Sequence, residues 1–175
     1  MKLIRHIEQI DHSLAGCAIT LGNFDGVHRG HAQIIARLRD WAIRVNGPAV
    51  VFTFDPHPVR LLRPELAPPP LTWTQRKAEL LDELGVDCMI AWPTDRSLLG
   101  LTYREFFQQI ILDQLQVAAI VEGPNFFFGR NREGDTGKLA ELCEESGIAC
   151  EIVQPTVLAD ELISSTRIRR LVSEG

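Results

Sequence analysis

Short apolar runs alternate along the chain with longer segments in which apolar residues recur every three or four positions. Residues 18–21 form an apolar run that reads as a strand ending in a Gly-rich turn. Residues 31–45 place Ile34, Ile35, Leu38, Trp41, Ala42 and Val45 on one side, which predicts an amphipathic helix. The continuous apolar run 49–54 predicts a buried strand. Residues 56–70 are Pro-rich, and 55–73 contain no predicted element; so long a loop in a compact domain points to function. Thr74 is the expected N-cap of a helix over 77–84 that stops at Gly85. A third apolar run covers 88–92. Thr102 with Glu105 makes a capping-box pattern that opens a helix to about 115. A strand over 117–121, a helix over 135–146 closed by Gly147, a strand over 148–153 and a helix over 164–172 complete the pattern. Strands alternating with helices imply an α/β fold, a parallel sheet flanked by helices on both faces.

The length, 175 residues, suits one such domain, and 45% hydrophobic content supplies its core without disulfides or metals. A net charge of −5 argues against a general nucleic-acid binder, so any phosphate must be held locally by backbone amides and a few placed cations. Cys17, Cys88, Cys143 and Cys150 form no CxxC pair and no Cys/His cluster, which fits free thiols in a reducing cytoplasm. Charges every few residues at the N-terminus exclude a signal peptide, and no apolar run approaches the ~20 residues of a membrane span.

Candidate chemistry lies in four strings. The first, LGNFDGVHRGH over residues 21–31, sits where a strand meets a helix, the edge at which open α/β sheets bind ligands. Gly22, Gly26 and Gly30 would let backbone approach a nucleotide. The following helix N-terminus favours phosphate, and His28 and His31, three apart, share its first turn as donors to a charged phosphate. A Gly-rich turn with two incidental histidines is the plainer alternative; their placement against a strongly amphipathic helix argues against it. The second, TFDPHP over 53–58, by itself says only that a buried strand ends in a rigid proline turn. The third, EGPNFFFGR over 122–130, carries three consecutive phenylalanines that cannot all face a core, so some should line a pocket. The fourth, LISSTRIR over 162–169, offers three hydroxyls that serve either as helix caps or, with amides and Arg169, as a triphosphate cradle.

The HxGH spacing at this place resembles the nucleotidylyltransferase superfamily. The longer GNFDGVHRGH resembles its FAD synthetase branch, the FMN adenylyltransferase module of bacterial bifunctional riboflavin kinase/FAD synthetases. The likeness covers nearly the whole chain, including 71–84, 103–107 and the NREGDTG stretch over 131–137. It implies a Rossmann-like nucleotidylyltransferase fold and the reaction of FMN with MgATP to give FAD and pyrophosphate. By it, His28, His31 and Arg169 are the catalytic residues. Gly22, Asn23, Phe24, Asp25 and Gly30, with Ser164, Ser165 and Thr166, bind ATP. Phe54, Pro56, Pro58, Asn125 and Phe128 border the flavin. Asp25 is also a candidate for organising the turn or a Mg²⁺ shell. Pro124 and Asn125 stand where the family often carries Asp or Glu, which puts the polar flavin contacts at variance with its pattern.

The implied partners are FMN and ATP, with no nucleic acid and no membrane. Typical relatives continue into a riboflavin kinase domain, whereas this chain stops at Gly175. The expectation is one adenylyltransferase domain over 1–175 without kinase activity, served by a separate or fused kinase. Two alternatives stay open: an adenylyl- or cytidylyltransferase for NMN or phosphopantetheine, and a non-catalytic flavin- or nucleotide-binding module. The loops 55–73 and 123–134 are expected to close over the flavin.

Overall fold

The computed structural model describes residues 1–154, 157–158 and 161–174. Six parallel strands form one sheet in the order β1-β4-β3-β2-β5-β6. They are β1 Lys2–Ile4, β2 Ala18–Leu21, β3 Ala49–Asp55, β4 Cys88–Pro93, β5 Ala119–Glu122 and β6 Ala149–Ile152. The chain runs outward from β2 through β3 to β4, then returns to lay β5 on the other side of β2. That reversal leaves a crevice above the carboxyl ends of β2 and β5. A two-stranded antiparallel pair, β7 Val157–Leu158 and β8 Glu161–Leu162, follows β6.

Both sheet faces are buried, which is why the strands read as continuous apolar runs rather than alternating ones. On one face, Ile35, Leu38 and Ala42 of α1 (Arg29–Val45) and Ala78 and Leu81 of α3 (Thr74–Glu83) cover Val51, Met89 and Val121. On the other, Phe106 of α5 (Tyr103–Phe106) and Leu139 and Leu142 of α6 (Thr136–Ser146) pack over Phe52, Trp92 and Ile120. All four cysteines are free, and no helix among the described residues is long and apolar enough to cross a membrane.

Several local expectations need correcting. Thr74 is the first helical residue of α3 and Trp73 its N-cap, because the Thr74 hydroxyl donates instead to Asp55 (2.6 Å). The stop is as expected: Gly85 takes φ +80° just beyond the helix. The Thr102–Glu105 capping box forms, but only Tyr103–Phe106 is α-helical; Phe107–Gln114 continues with π-helical turns. Residues 55–73 are not structureless, since α2 (Pro58–Leu62) and a 3₁₀ turn (Pro64–Leu66) lie within them. β1 escaped the pattern because three residues carry too little periodicity, and α4 (Arg96–Gly100) because its five residues are barely more than one turn. The final helix, α7, spans Ser165–Glu174.

Candidate active site

The crevice widens into a cleft of about 880 Å³. One part of it is polar. His28 is the N-cap of α1, and its Nδ1 accepts the His31 amide (3.3 Å). The two imidazoles stack with centroids 3.7 Å apart and planes 12° from parallel. Gly30 permits this: a β-carbon there would stand 3.2 Å from the His28 ring. Gly22, Asn23, Phe24, Gly30 and both histidines line this part, facing Ser164, Ser165 and Thr166 at the start of α7. The Ser164 hydroxyl caps α7 by accepting the Arg167 amide (3.2 Å).

Burial, then the nearby positive charges of His28 and Lys77, pushes the His31 imidazole down to about 3; Asp25 opposes. Burial lowers His28 as well. Both rings are therefore neutral at pH 7. Among the described residues, His31 Nδ1 and Asn23 Oδ1 are buried without a hydrogen-bond partner, two polar atoms waiting at the cleft. A pH dependence of stability follows. Below the ordinary histidine value of about 6.5 the unfolded chain takes up a proton that folded His31 refuses, so stability falls as pH falls. Between pH 6.5 and 5 this loss should be roughly 1.5 kcal/mol. Urea unfolding of the native chain and His31→Asn over that range checks it: a native slope no steeper than the variant's would exclude the depressed imidazole.

The other part of the cleft is aromatic. Phe126 stacks on Phe128 (centroids 5.4 Å, planes 13°), and Phe106 meets Phe128 edge-on at 6.1 Å. Phe54, Pro58, Val59, Leu62 and Leu98 complete the wall. Phe128 is buried in the core while Phe127 stays 45% exposed under the Arg132 guanidinium, so the triple phenylalanine divides between core and surface with all three bordering the cleft. Gly129 (φ +74°) is required, because a β-carbon there would lie 2.5 Å from the Tyr103 amide nitrogen. Asn125 lines the same loop.

Three of the residues singled out from sequence lie elsewhere. Asp25, Pro56 and Arg169 line a neighbouring cavity of about 200 Å³. Asp25, 7% exposed, accepts the amides of Leu71 (3.0 Å) and Thr72 (2.9 Å), the Thr72 hydroxyl (3.1 Å) and the Arg169 guanidinium. Its carbonyl accepts the Ser165 hydroxyl (2.8 Å), and Arg169 Nε donates to the Pro69 carbonyl (2.9 Å). Asp25 thus ties the Gly-rich turn, the Pro-rich loop and α7 together. Burial pushes its carboxyl up, but the Leu71 and Thr72 amides, Arg169 and the Thr72 hydroxyl outweigh that and hold it below the usual range. With its oxygens so engaged, Asp25 organises the turn. Among the described residues no three His, Cys, Asp or Glu side chains gather as a metal site.

Two buried charged groups escaped the sequence reading. Lys77, 8% exposed, donates to the Asn23 carbonyl (2.5 Å) and the Thr53 hydroxyl (3.2 Å) from beneath the Gly-rich turn. Glu122, 3% exposed, borders the cleft at the end of β5. Each left a signal: Lys77 precedes Ala78 and Leu81 on the apolar stripe of α3, and Glu122 ends an otherwise apolar run.

The model of the family described as FAD synthetase matches residues 10–167. The chain belongs to the FAD synthetase family. The bifunctional riboflavin kinase/FMN adenylyltransferases of Pseudomonas fluorescens and Escherichia coli K12 are each 35% identical to it, over 99% of this chain and 55% and 56% of their own lengths. That of Haemophilus influenzae is 32% identical over 99% of this chain. The chain thus spans little more than half the length of these relatives. A solved structure titled as a macrolide-efflux protein from Streptococcus pneumoniae superposes with a TM-score of 0.83 at 24% identity, covering 98% of this chain and 56% of that one, and supports the fold alone. FAD synthetase membership and the six-stranded parallel sheet agree with the Rossmann-like nucleotidylyltransferase fold expected from the HxGH string.

Proposed function

We propose that this FAD synthetase domain transfers the adenylyl group of MgATP to the phosphate of FMN, giving FAD and pyrophosphate. The observation that carries this reading is one cleft with two chemistries: paired imidazoles facing the Ser164–Thr166 hydroxyls in one part, and a stacked aromatic wall in the other. The second part suits a flat isoalloxazine ring, and the first suits the phosphates.

An FMN phosphate oxygen attacks the α-phosphorus of ATP. The bond from that phosphorus to the bridging oxygen breaks, and pyrophosphate carries the electron pair away. The nucleophile is already an anion, so no strong base is needed; the protein must align two phosphates and offset their repulsion. His28 and His31 donate to the reacting phosphate as neutral imidazoles. Gly22, Asn23, Phe24 and Gly30 bound the nucleotide with Ser164, Ser165 and Thr166, and Asp25 fixes the turn that carries them. Arg169 binds the β- and γ-phosphates after exchanging Asp25 for them. Phe54, Pro58, Asn125 and Phe128 hold the flavin, with Pro56 stiffening the turn behind them. Mg²⁺ arrives with the nucleotide as part of the substrate, carried by phosphate and water oxygens. A riboflavin kinase, fused or separate, supplies FMN, and the free thiols suit a reducing cytoplasm. The alternative acceptors NMN and phosphopantetheine lack a flat tricyclic ring to stack on this aromatic wall.

Incubation with FMN and MgATP, followed by chromatography of the flavins, is expected to yield FAD. Riboflavin in place of FMN is expected to yield no FAD by adenylyl transfer alone, because it offers a neutral hydroxyl where the reaction needs a phosphate nucleophile. Binding of both substrates without FAD would overturn the catalytic reading, and failure to bind flavin would overturn the acceptor.

A further inference from the structure

β2 and β5 pair in parallel with Ala18 opposite Ala119 and Ile19 opposite Ile120. Continuing that register sets Leu21 opposite Glu122, but there the strands part to form the crevice. The Leu21 amide donates to Glu122 Oε1 (2.5 Å), and the Thr20 hydroxyl to the same oxygen (3.4 Å). The next amide, Gly22, points to the other side and donates to the Phe52 carbonyl of β3 (2.9 Å). Glu122 is held in turn by β6, since its own carbonyl accepts the Val153 amide (2.8 Å). The first residues of the Gly-rich turn are therefore gripped on one flank by the main chain of β3 and on the other by a side chain.

A buried carboxyl is a costly acceptor where a main-chain carbonyl would serve, unless the strands must stand apart at this point. We propose that Glu122 is a positioning residue for adenylyl transfer: its carboxyl replaces the β2–β5 ladder where the strands separate and fixes the Gly22–Asn23 turn from which His28 and His31 reach the cleft. The proposal rests on the adenylyl-transfer reading above. Burial pushes this carboxyl well above the usual carboxylate range, with the Leu21 amide and the Thr20 hydroxyl opposing. Glutamine is the isosteric stand-in, because its side-chain oxygen keeps the acceptor for the Leu21 amide.

The test compares Glu122→Gln and Glu122→Val with the native chain. Glu122→Gln keeps the acceptor and should retain kcat within about twofold. Glu122→Val keeps a side chain between the strands but leaves the Leu21 amide unpaired. Its kcat should fall roughly tenfold, with KM for FMN and MgATP within about threefold, and hydrogen exchange over residues 21–23 should quicken. Rates are taken well below each variant's Tm, so that lost stability is not read as lost positioning. A Glu122→Val kcat equal to the native value, or equal losses in both variants, would overturn the proposal. FAD formation by the native chain tests the underlying reading separately; if the native chain makes none, unchanged exchange at 21–23 in Glu122→Val would still overturn the positioning role.

Discussion

Replacing both His28 and His31 by alanine is expected to abolish FAD formation, lowering kcat at least about 10³-fold while FMN still binds. Removing one preorganised donor to a developing oxyanion typically costs about 10²–10³ in kcat. The two imidazoles, stacked at 3.7 Å on one helical turn, should act as a unit, so the double variant should be little worse than the poorer single one. FMN affinity should persist because the aromatic wall is untouched. His28 also caps α1, and alanine there should cost about 1 kcal/mol of stability as well. His28→Asn separates the two roles: it restores a cap but not an imidazole, so stability should recover and kcat should not. Chromatography of FAD measures kcat, quenching of flavin fluorescence measures FMN affinity, and thermal unfolding measures stability. A double variant retaining more than a tenth of native kcat would remove these histidines from the chemistry.

Asp25→Ala should be the most destabilising single change at the site. It strands the Arg169 guanidinium, 17% exposed, and leaves the Leu71 and Thr72 amides unpaired. Breaking one side of a buried, hydrogen-bonded ion pair costs about 3 kcal/mol, which for a domain of this size lowers Tm by roughly 6–12 °C. Because the Asp25 carboxyl is held below its usual range, its stabilisation is present above about pH 4 and is lost as pH falls through the folded value. The native chain should therefore lose stability in strong acid more steeply than the variant. Nucleotide affinity should fall too, because the Gly-rich turn loses the carboxylate that ties it to the Leu71 and Thr72 amides. Calorimetry at pH 7 and pH 3 with nucleotide titration decides the matter; a Tm shift under 2 °C would show that Asp25 does not hold the three segments together.

Much of this was legible in the chain because the signals are local. A buried parallel strand must be apolar on both faces, so β3 and β4 appear as runs. The period of α1 is set by the stripe that it buries, and Gly85 and Gly147 mark stops because they take φ of +80° and +68°. The HxGH spacing places two imidazoles on one helical turn, and three consecutive phenylalanines beside Gly129 mark a loop in which some rings reach a pocket.

Tertiary structure decided what depends on distant partners. Thr74 satisfies the sequence rules for an N-cap, but Asp55, nineteen positions away, takes its hydroxyl. Arg169 and Asp25, 144 positions apart, meet only because α7 folds back over the Gly-rich turn. Lys77 and Glu122 read as ordinary charged residues until the sheet order β3-β2-β5 puts one under the Asn23 carbonyl and the other beside the Leu21 amide. Sequence by itself determined the longer elements, the family likeness and the residues that could do chemistry, because periodicity and motif spacing are properties of neighbouring residues. Which side chains share a cavity, and which ionisable groups are buried, was decided by strand order and packing, since both depend on groups that the chain brings together only when it folds.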